Sequence, residues 1–272
     1  MSAPNHYENF PVGSILLPRR LRRPIHAVYA FARFADDLAD EGNATPEQRQ
    51  SSLHELVQEL DRIGAEQTPQ TALMQRLQHE AIAPFALPLQ PFYDLLSAFT
   101  QDTHKLRYQN FGELVYYAKR SANPVGRIIL HLYGEHDAKS IAQSDGICTA
   151  LQLINFWQDV AIDWQKNRVY LPQEDMQKFG VSEDDLRAGC LSPLLKKLLK
   201  YECDKAKKML YAGAPLGKTL RGRLGFELRL IVLGGDTILQ KLAQNQYDIF
   251  NNRPVLTWRD YVFMLKRAWQ KK

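Results

Sequence analysis

The spacing of apolar positions predicts helix along most of the chain. Ile25, Val28, Tyr29 and Ala32 share one stripe of a run that Pro24 opens and Gly42 closes. Thr45-Pro46-Glu47-Gln48 spells a capping box with proline at the first helical position. Leu53, Leu56, Val57, Leu60 and Ile63 then keep a 3.6-residue period until Gly64. Comparable runs predict helices over 70–83, 91–106, 111–133, 138–166, 193–212, 220–245 and 257–270. Asn123-Pro124 falls inside 111–133, and the residue before a proline avoids the α region, so a kink or break belongs there. Arg168-Val169-Tyr170-Leu171-Pro172 is short and ends in proline, which predicts an extended loop rather than a strand. The polar stretch 173–192 is too short for a domain linker, and no internal repeat stands out. The expectation is a single all-α domain over 1–272.

Composition changes this picture little. The 272 residues are 45% hydrophobic and 24% charged, an ordinary globular balance. No run of apolar residues is long enough to predict a membrane-spanning helix, and MSAPNHYENFPVG lacks the basic and apolar regions of a secretory signal. Cys148, Cys190 and Cys203 are few, odd in number and widely spaced, which fits a reducing compartment and no zinc site. A cytoplasmic location is therefore expected. The net charge of +5 mildly favours anionic partners without choosing among them.

The carboxylates change it more. In AVYAFARFADDLADEG, residues 27–42, Asp36, Asp37, Asp40 and Glu41 crowd the C-terminal end of an apolar helix. There they face the negative end of the helix dipole, and Asp36 and Asp40 repel across one turn. A second pair, Asp159 and Asp163, has the same spacing within QLINFWQDVAIDWQKNRVYLP, residues 152–172. Two solvated helix faces are one reading. The other is a metal site, because Phe31 and Leu38, and Leu153, Ile154, Phe156 and Val160, mark surroundings expected to be buried, where carboxylates need compensation. Mg²⁺ takes oxygen ligands, typically one or two carboxylates plus substrate phosphates, so two facing pairs with a bridging diphosphate fit it.

Other chemistries find less support. No Glu lies three residues before any of the seven histidines, which excludes the paired Glu-x-x-His of a di-iron bundle. Gly213-Ala214-Pro215-Leu216-Gly217-Lys218-Thr219 is one residue short of a phosphate-binding loop and reads as a turn between helices. No G-x-S-x-G elbow is present. Arg19-Arg20-Leu21-Arg22-Arg23 reads as a solvated helix start or a contact to phosphate or an acidic membrane, with no nucleic-acid motif beside it. The lysines between 196 and 208 alternate with leucines as on a wet helix face. The C-terminal Lys266-Arg267-Ala268-Trp269-Gln270-Lys271-Lys272 reads as a frayed basic tail or a membrane contact.

DDLAD and DVAID, with NRVYLP just after the second, resemble the squalene/phytoene synthase family. The likeness runs over almost the whole chain: HYENFPVGSILLP with His6 and Phe10, AVYAFARFADD with Tyr29 and Arg33, ELVYYAKRSANPVG with Tyr117, Ala122, Val125 and Gly126, LQLINFWQD with Gln152 and Asn155, and NQYDIFNNRPVL with Tyr247. The resemblance implies an isoprenoid synthase fold with helices surrounding a central cavity, Mg²⁺ as cofactor and a prenyl diphosphate substrate. It implies Asp36, Asp40, Asp159 and Asp163 as metal ligands at the catalytic centre. It places Arg33, Asn155, Arg168 and Tyr170 at the diphosphate or metal, with Gln152, Gln158, His6 and Phe10 among the substrate-binding groups. Tyr117 and Tyr247 are then expected to line the prenyl cavity. Plainer readings stand beside these: Arg33 pairing with Asp37, and Tyr170, Tyr117 and Tyr247 as packed tyrosines.

Two departures narrow the likeness. Gln158 stands where the family usually has arginine before the second-motif aspartate, and Ser121-Ala122-Asn123 replaces an apolar segment. Both are similar to the bacterial hydroxysqualene synthase branch, of hopanoid-type squalene synthesis. That branch implies conversion of presqualene diphosphate and water to hydroxysqualene and diphosphate, with Ser121 and Asn123 placing the water. Asn123-Pro124 setting only a kink is the plainer account. The rival reactions condense two farnesyl diphosphates to presqualene diphosphate, squalene or dehydrosqualene; a non-catalytic assembly factor of the same fold is the rival from another class. The C30 product implies peripheral contact with the inner membrane face, and other squalene-pathway enzymes are further expected partners.

Overall fold

A computed structural model describes residues 17–270. His6 and Phe10 lie outside the described residues. Those described form fourteen α-helices: α1 (Arg19–Asp40), α2 (Pro46–Gly64), α3 (Ala72–Leu77), α4 (Ala83–Phe85), α5 (Gln90–Asp102), α6 (Phe111–Ser121), α7 (Asn123–Tyr133), α8 (Ala138–Gln165), α9 (Gln173–Phe179), α10 (Glu183–Arg187), α11 (Pro193–Gly213), α12 (Leu216–Thr219), α13 (Gly222–Gln244) and α14 (Trp258–Trp269). A π-helical turn, Gln78–Ile82, joins α3 to α4. Among the described residues no strand forms; a single parallel bridge links Arg107 and Val169.

Most of these elements follow from local signals. Thr45 caps α2 by accepting from the Gln48 N–H, and the Gln48 side chain returns the bond to the Thr45 N–H, as the capping box requires. The predicted break at Asn123-Pro124 separates α6 from α7, with Ala122 at φ −120° outside helical geometry. The polar stretch 173–192 folds into the short helices α9 and α10. Gly213–Thr219, the near match to a phosphate loop, is the junction of α11 and α12.

The first helix corrects the prediction. It begins at Arg19, so Pro24 lies inside it instead of opening it. Leu21, fully buried, together with Ile25 and Val28, extends the packed stripe back past the proline. That burial offsets the one hydrogen bond the proline cannot donate.

Two apolar clusters fill the interior. One gathers α1, α2, α3 and α5 with Ile128 and Leu132 of α7; the other surrounds α8 with α6, α9, α11, α13 and α14. The helix α8 is buried on more than one face, and its Trp157 is fully buried, as a central helix demands. Close approach needs small residues. A Cβ on Gly213 of α11 would meet the Gln143 carbonyl oxygen of α8 at 2.5 Å, and one on Gly126 of α7 would meet Ser144 Oγ at 2.5 Å. The helix α8 is therefore closely approached by both α11 and α7, and its C-terminal end lies within reach of the end of α1.

Candidate active site

The carboxylates converge where the apolar clusters meet. Asp40 ends α1, and Arg168, just beyond α8, binds it with both guanidinium nitrogens, at 2.8 Å to Oδ2 and 2.6 Å to Oδ1. The segment 168–172 is extended, as its sequence predicts. It is held by Val169 N–H donating to Leu106 O at 3.0 Å and Gln173 N–H donating to Tyr108 O at 2.9 Å. Side chains alternate along such a segment. Val169 and Leu171 are buried, while Arg168 and Tyr170 reach the aspartates and the ring cluster described below. Arg168 also donates to the Asp102 carbonyl at 3.2 Å, which brings the end of α5 into the same site.

On α8, Gln152, Asn155, Asp159 and Asp163 recur at three- and four-residue steps and so share one stripe. Asp159 accepts from Arg253 Nε at 2.5 Å. Asp163 keeps a buried Oδ2 with no hydrogen-bond partner. Its pKa is pushed up to about 7, by burial first and then by the negative charge of Asp159; Arg168, Lys166 and Asp40 act on it as well. Asp36 rises to about 6, by burial and the charge of Asp40. Asp40 goes the other way: Arg168 holds it below the usual carboxylate range despite burial. The two aspartate motifs thus lie within electrostatic reach of one another, one carboxylate in each pair satisfied by arginine and the other costly to ionise.

Sequence reasoning missed three residues here. Asp102, buried at the end of α5, accepts from the Tyr117 hydroxyl at 2.7 Å, and burial raises its pKa to about 7. Its signal was available, a carboxylate closing an apolar helix, as in α1. Tyr108 has no such signature; it stacks with Tyr170 at 5.7 Å and approaches Tyr117 at 5.5 Å. Arg253 lies inside NQYDIFNNRPVL but belongs to a long-range pair that spacing cannot show.

The remaining predicted residues divide. Tyr170 stacks on Phe156 at 3.8 Å, and Tyr117 packs against both rings. Both tyrosines are therefore packed, with the Tyr117 hydroxyl turned to the aspartate site. Ser121 ends α6 with a buried hydroxyl that has no partner. Asn123 is buried and accepts from Thr149 of α8 at 2.9 Å. Arg33 takes its plainer pairing, with Asp37 at 2.7 Å and Asp36 at 3.7 Å. Gln158 faces away from the stripe of Asp159; buried, it donates to the Pro254 carbonyl and leaves its own oxygen unpaired, so it anchors the C-terminal segment. Tyr247 is buried beside Cys203 and Asp204 of α11 and is not brought to the aspartates.

The residues fit a divalent cation bound with a ligand rather than a closed cage. Among the described residues no three His, Cys, Asp or Glu side chains converge to hold one ion. The donors come as oxygen pairs with an orphaned buried oxygen on Asp163, the pattern expected where substrate phosphates and water complete the shell.

Paired, partly buried aspartates beside a bidentate arginine on an all-helical frame are the arrangement that the resemblance to isoprenoid diphosphate enzymes implies. The chain belongs to the squalene/phytoene synthase family, which it matches over residues 3–260. It is 36% identical to the hydroxysqualene synthase of Rhodopseudomonas palustris over 86% of this chain and 79% of that one. It is 30% identical to the 15-cis-phytoene synthase of Synechocystis over 96% of this chain and 80% of that one. The crystal structure of the squalene synthase HpnC from Alicyclobacillus acidocaldarius superposes with a TM-score of 0.82 at 36% identity, covering 89% of this chain and 90% of that one. A dehydrosqualene synthase in complex with ligand shares the fold, with a TM-score of 0.83 at 24% identity over 94% of this chain and 88% of that one.

Proposed function

We propose that this enzyme is a Mg²⁺-dependent hydroxysqualene synthase, converting presqualene diphosphate and water to hydroxysqualene and diphosphate. The observation that carries the reading is the meeting of the α1 and α8 aspartate pairs around Arg168, with the Asp163 oxygen buried and unpaired. Asp36, Asp40, Asp159 and Asp163 would hold the cations. When bound, Mg²⁺ supplies positive charge to the leaving diphosphate. Arg168 and Arg253 are two of the chain's own cations at this place, with Lys166 3.9 Å from Asp40 as another. Each arginine can turn from its aspartate to a diphosphate oxygen once divalent charge reaches the carboxylates, since Arg binds carboxylate and phosphate with the same fork. The packed rings of Tyr170, Phe156 and Tyr117 keep bulk water from that side of the site.

The choice of water over reduction rests on Ser121 and on the relatives named above. Its hydroxyl is buried and free to bond a single water, where an apolar wall would leave none. Asn123, whose oxygen is committed to Thr149, sets the break between α6 and α7 and ties it to α8.

The test is incubation with Mg²⁺ and either presqualene or farnesyl diphosphate, without NADPH, followed by gas chromatography–mass spectrometry. Hydroxysqualene from presqualene diphosphate is the expected product, with no diphosphate released in EDTA. Consumption of farnesyl diphosphate identifies a condensing enzyme instead. Ser121→Ala is expected to lower the alcohol fraction of the product while diphosphate release continues; an unchanged product profile removes Ser121 from that role.

A further inference from the structure

The helix α14 has two apolar faces. Its inner face, Met264 and Ala268, is buried against α13: Met264 and Leu256 lie over Gly234, and Arg229 Nε donates to the Ala268 carbonyl at 2.8 Å. Lys241 fixes the N-terminal end through Asp260 at 2.5 Å. The outer face of a helix so placed is normally polar. Here Trp258, Val262, Leu265 and Trp269 recur at four-, three- and four-residue steps, and all are exposed, Trp258 by 69% and Trp269 by 81%. A contiguous apolar stripe left open to water marks an interaction surface.

The border of the stripe says what kind. Arg259 and Lys266 flank it by helical position and are exposed, and Lys271 and Lys272 follow in sequence. The only acid on the helix, Asp260, is spent on Lys241 and the Thr257 N–H. Tryptophan at both ends, a cationic edge and no free acid match the level of phospholipid headgroups, where tryptophan partitions and basic side chains reach phosphate. A second copy of the chain would set the same cationic edge against itself, which like charges oppose. Among the described residues no helix is long and apolar enough to cross a membrane.

We propose that the outer face of α14 docks the enzyme on an anionic phospholipid surface. The docking stands apart from the reaction proposed above. It does place that surface near the candidate site, because the chain runs from Arg253, on Asp159, and Pro254, on Gln158, directly to the start of α14 at Trp258.

Cosedimentation of the full chain with phosphatidylcholine vesicles, with or without phosphatidylglycerol, tests it. Binding is expected on the anionic vesicles, at least roughly tenfold weaker on the neutral ones, weakened by salt and accompanied by a blue shift of tryptophan emission. Trp258→Ser with Trp269→Ser is expected to weaken it roughly tenfold or more and to abolish the shift. Arg259→Glu with Lys266→Glu, at exposed positions that leave the buried face intact, should lose the preference for anionic vesicles. Circular dichroism checks both variants, and the charge reversal decides alone where the tryptophan variant does not fold. No binding, equal binding to both vesicles, or a charge-reversed protein that binds as the parent does overturns the proposal. So does a dimer by light scattering that the tryptophan variant abolishes, or protection of these tryptophans from iodide before lipid is added.

Discussion

At the scale of single residues, the site is organised by which carboxylates have a partner. Asp40 and Asp159 have arginines; Asp163 has a buried oxygen with none. Such a group is retained against the stability of the empty fold, because two carboxylates one turn apart repel most where water is scarce. Asp163→Asn is therefore expected to leave the melting temperature of the metal-free protein unchanged or raised, while lowering turnover by about a hundredfold or more. Adding Mg²⁺ with diphosphate should stabilise the parent by several degrees and the variant less. A metal-free variant melting well below the parent would instead make Asp163 a structural group. Arg253→Gln tests the other half of the pair. It leaves Asp159 without its arginine beside Asp163 and should cost about 1–2 kcal/mol, read by urea unfolding. The aspartates were legible in the sequence because carboxylates closing apolar helices contradict both dipole and burial. Their partners were not, since Arg168 to Asp40 and Arg253 to Asp159 join residues far apart in the chain, and spacing carries no information about such pairs.

At the scale of elements, what positions the aspartates is the seating of α8 between its neighbours. Gly213 lets α11 approach α8 so closely that a single methyl group would strike the Gln143 carbonyl and Ile147. Gly213→Ala should cost about 1–3 kcal/mol despite alanine's better helix propensity, because the backbone of α11 has to move. Differential scanning calorimetry reads this directly; a stability equal to the parent's would mean that α11 slides at no cost and that the contact does not set the position of α8. Local signals wrote most of these boundaries. The reciprocal bonds of Thr45 and Gln48 and the break before Pro124 depend on neighbours in sequence and were predictable. The start of α1 was not, since it is decided by the burial of Leu21 in a cluster built from four other helices.

At the scale of the whole molecule, the larger apolar cluster encloses a charge imbalance that ties stability to pH. Glu202 of α11 is fully buried, with Lys205 at 2.8 Å; the same lysine lies 2.8 Å from Asp175 of α9, whose carboxyl also bears directly on that of Glu202. Two acids share one base. Burial pushes the Glu202 carboxyl up to about 8, against the pull of Lys205, from an ordinary value of 4.5. The folded chain thus holds a proton that the unfolded chain gives up. The associated stability is complete below the ordinary value, declines as pH rises, and is gone above about 8. Glu202→Gln keeps the shape, removes the titration and leaves Lys205 with Asp175 as an even pair. The variant should melt close to the parent near about pH 5 and on the order of 5 °C above it near about pH 9, where the parent has to bury a second negative charge. The difference between the two melting curves should open across the interval between those values, and parallel curves throughout would mean that Glu202 does not titrate there. No sequence pattern pointed to this cluster: Glu202 falls among the lysines of 196–208, which read as a wet face, and only the packing of α9 on α11 turns Glu202 and Lys205 inward. Glu202, Lys205 and Asp175 are not among the residues assigned to the chemistry, so this test varies the stability of the enzyme without removing any of them.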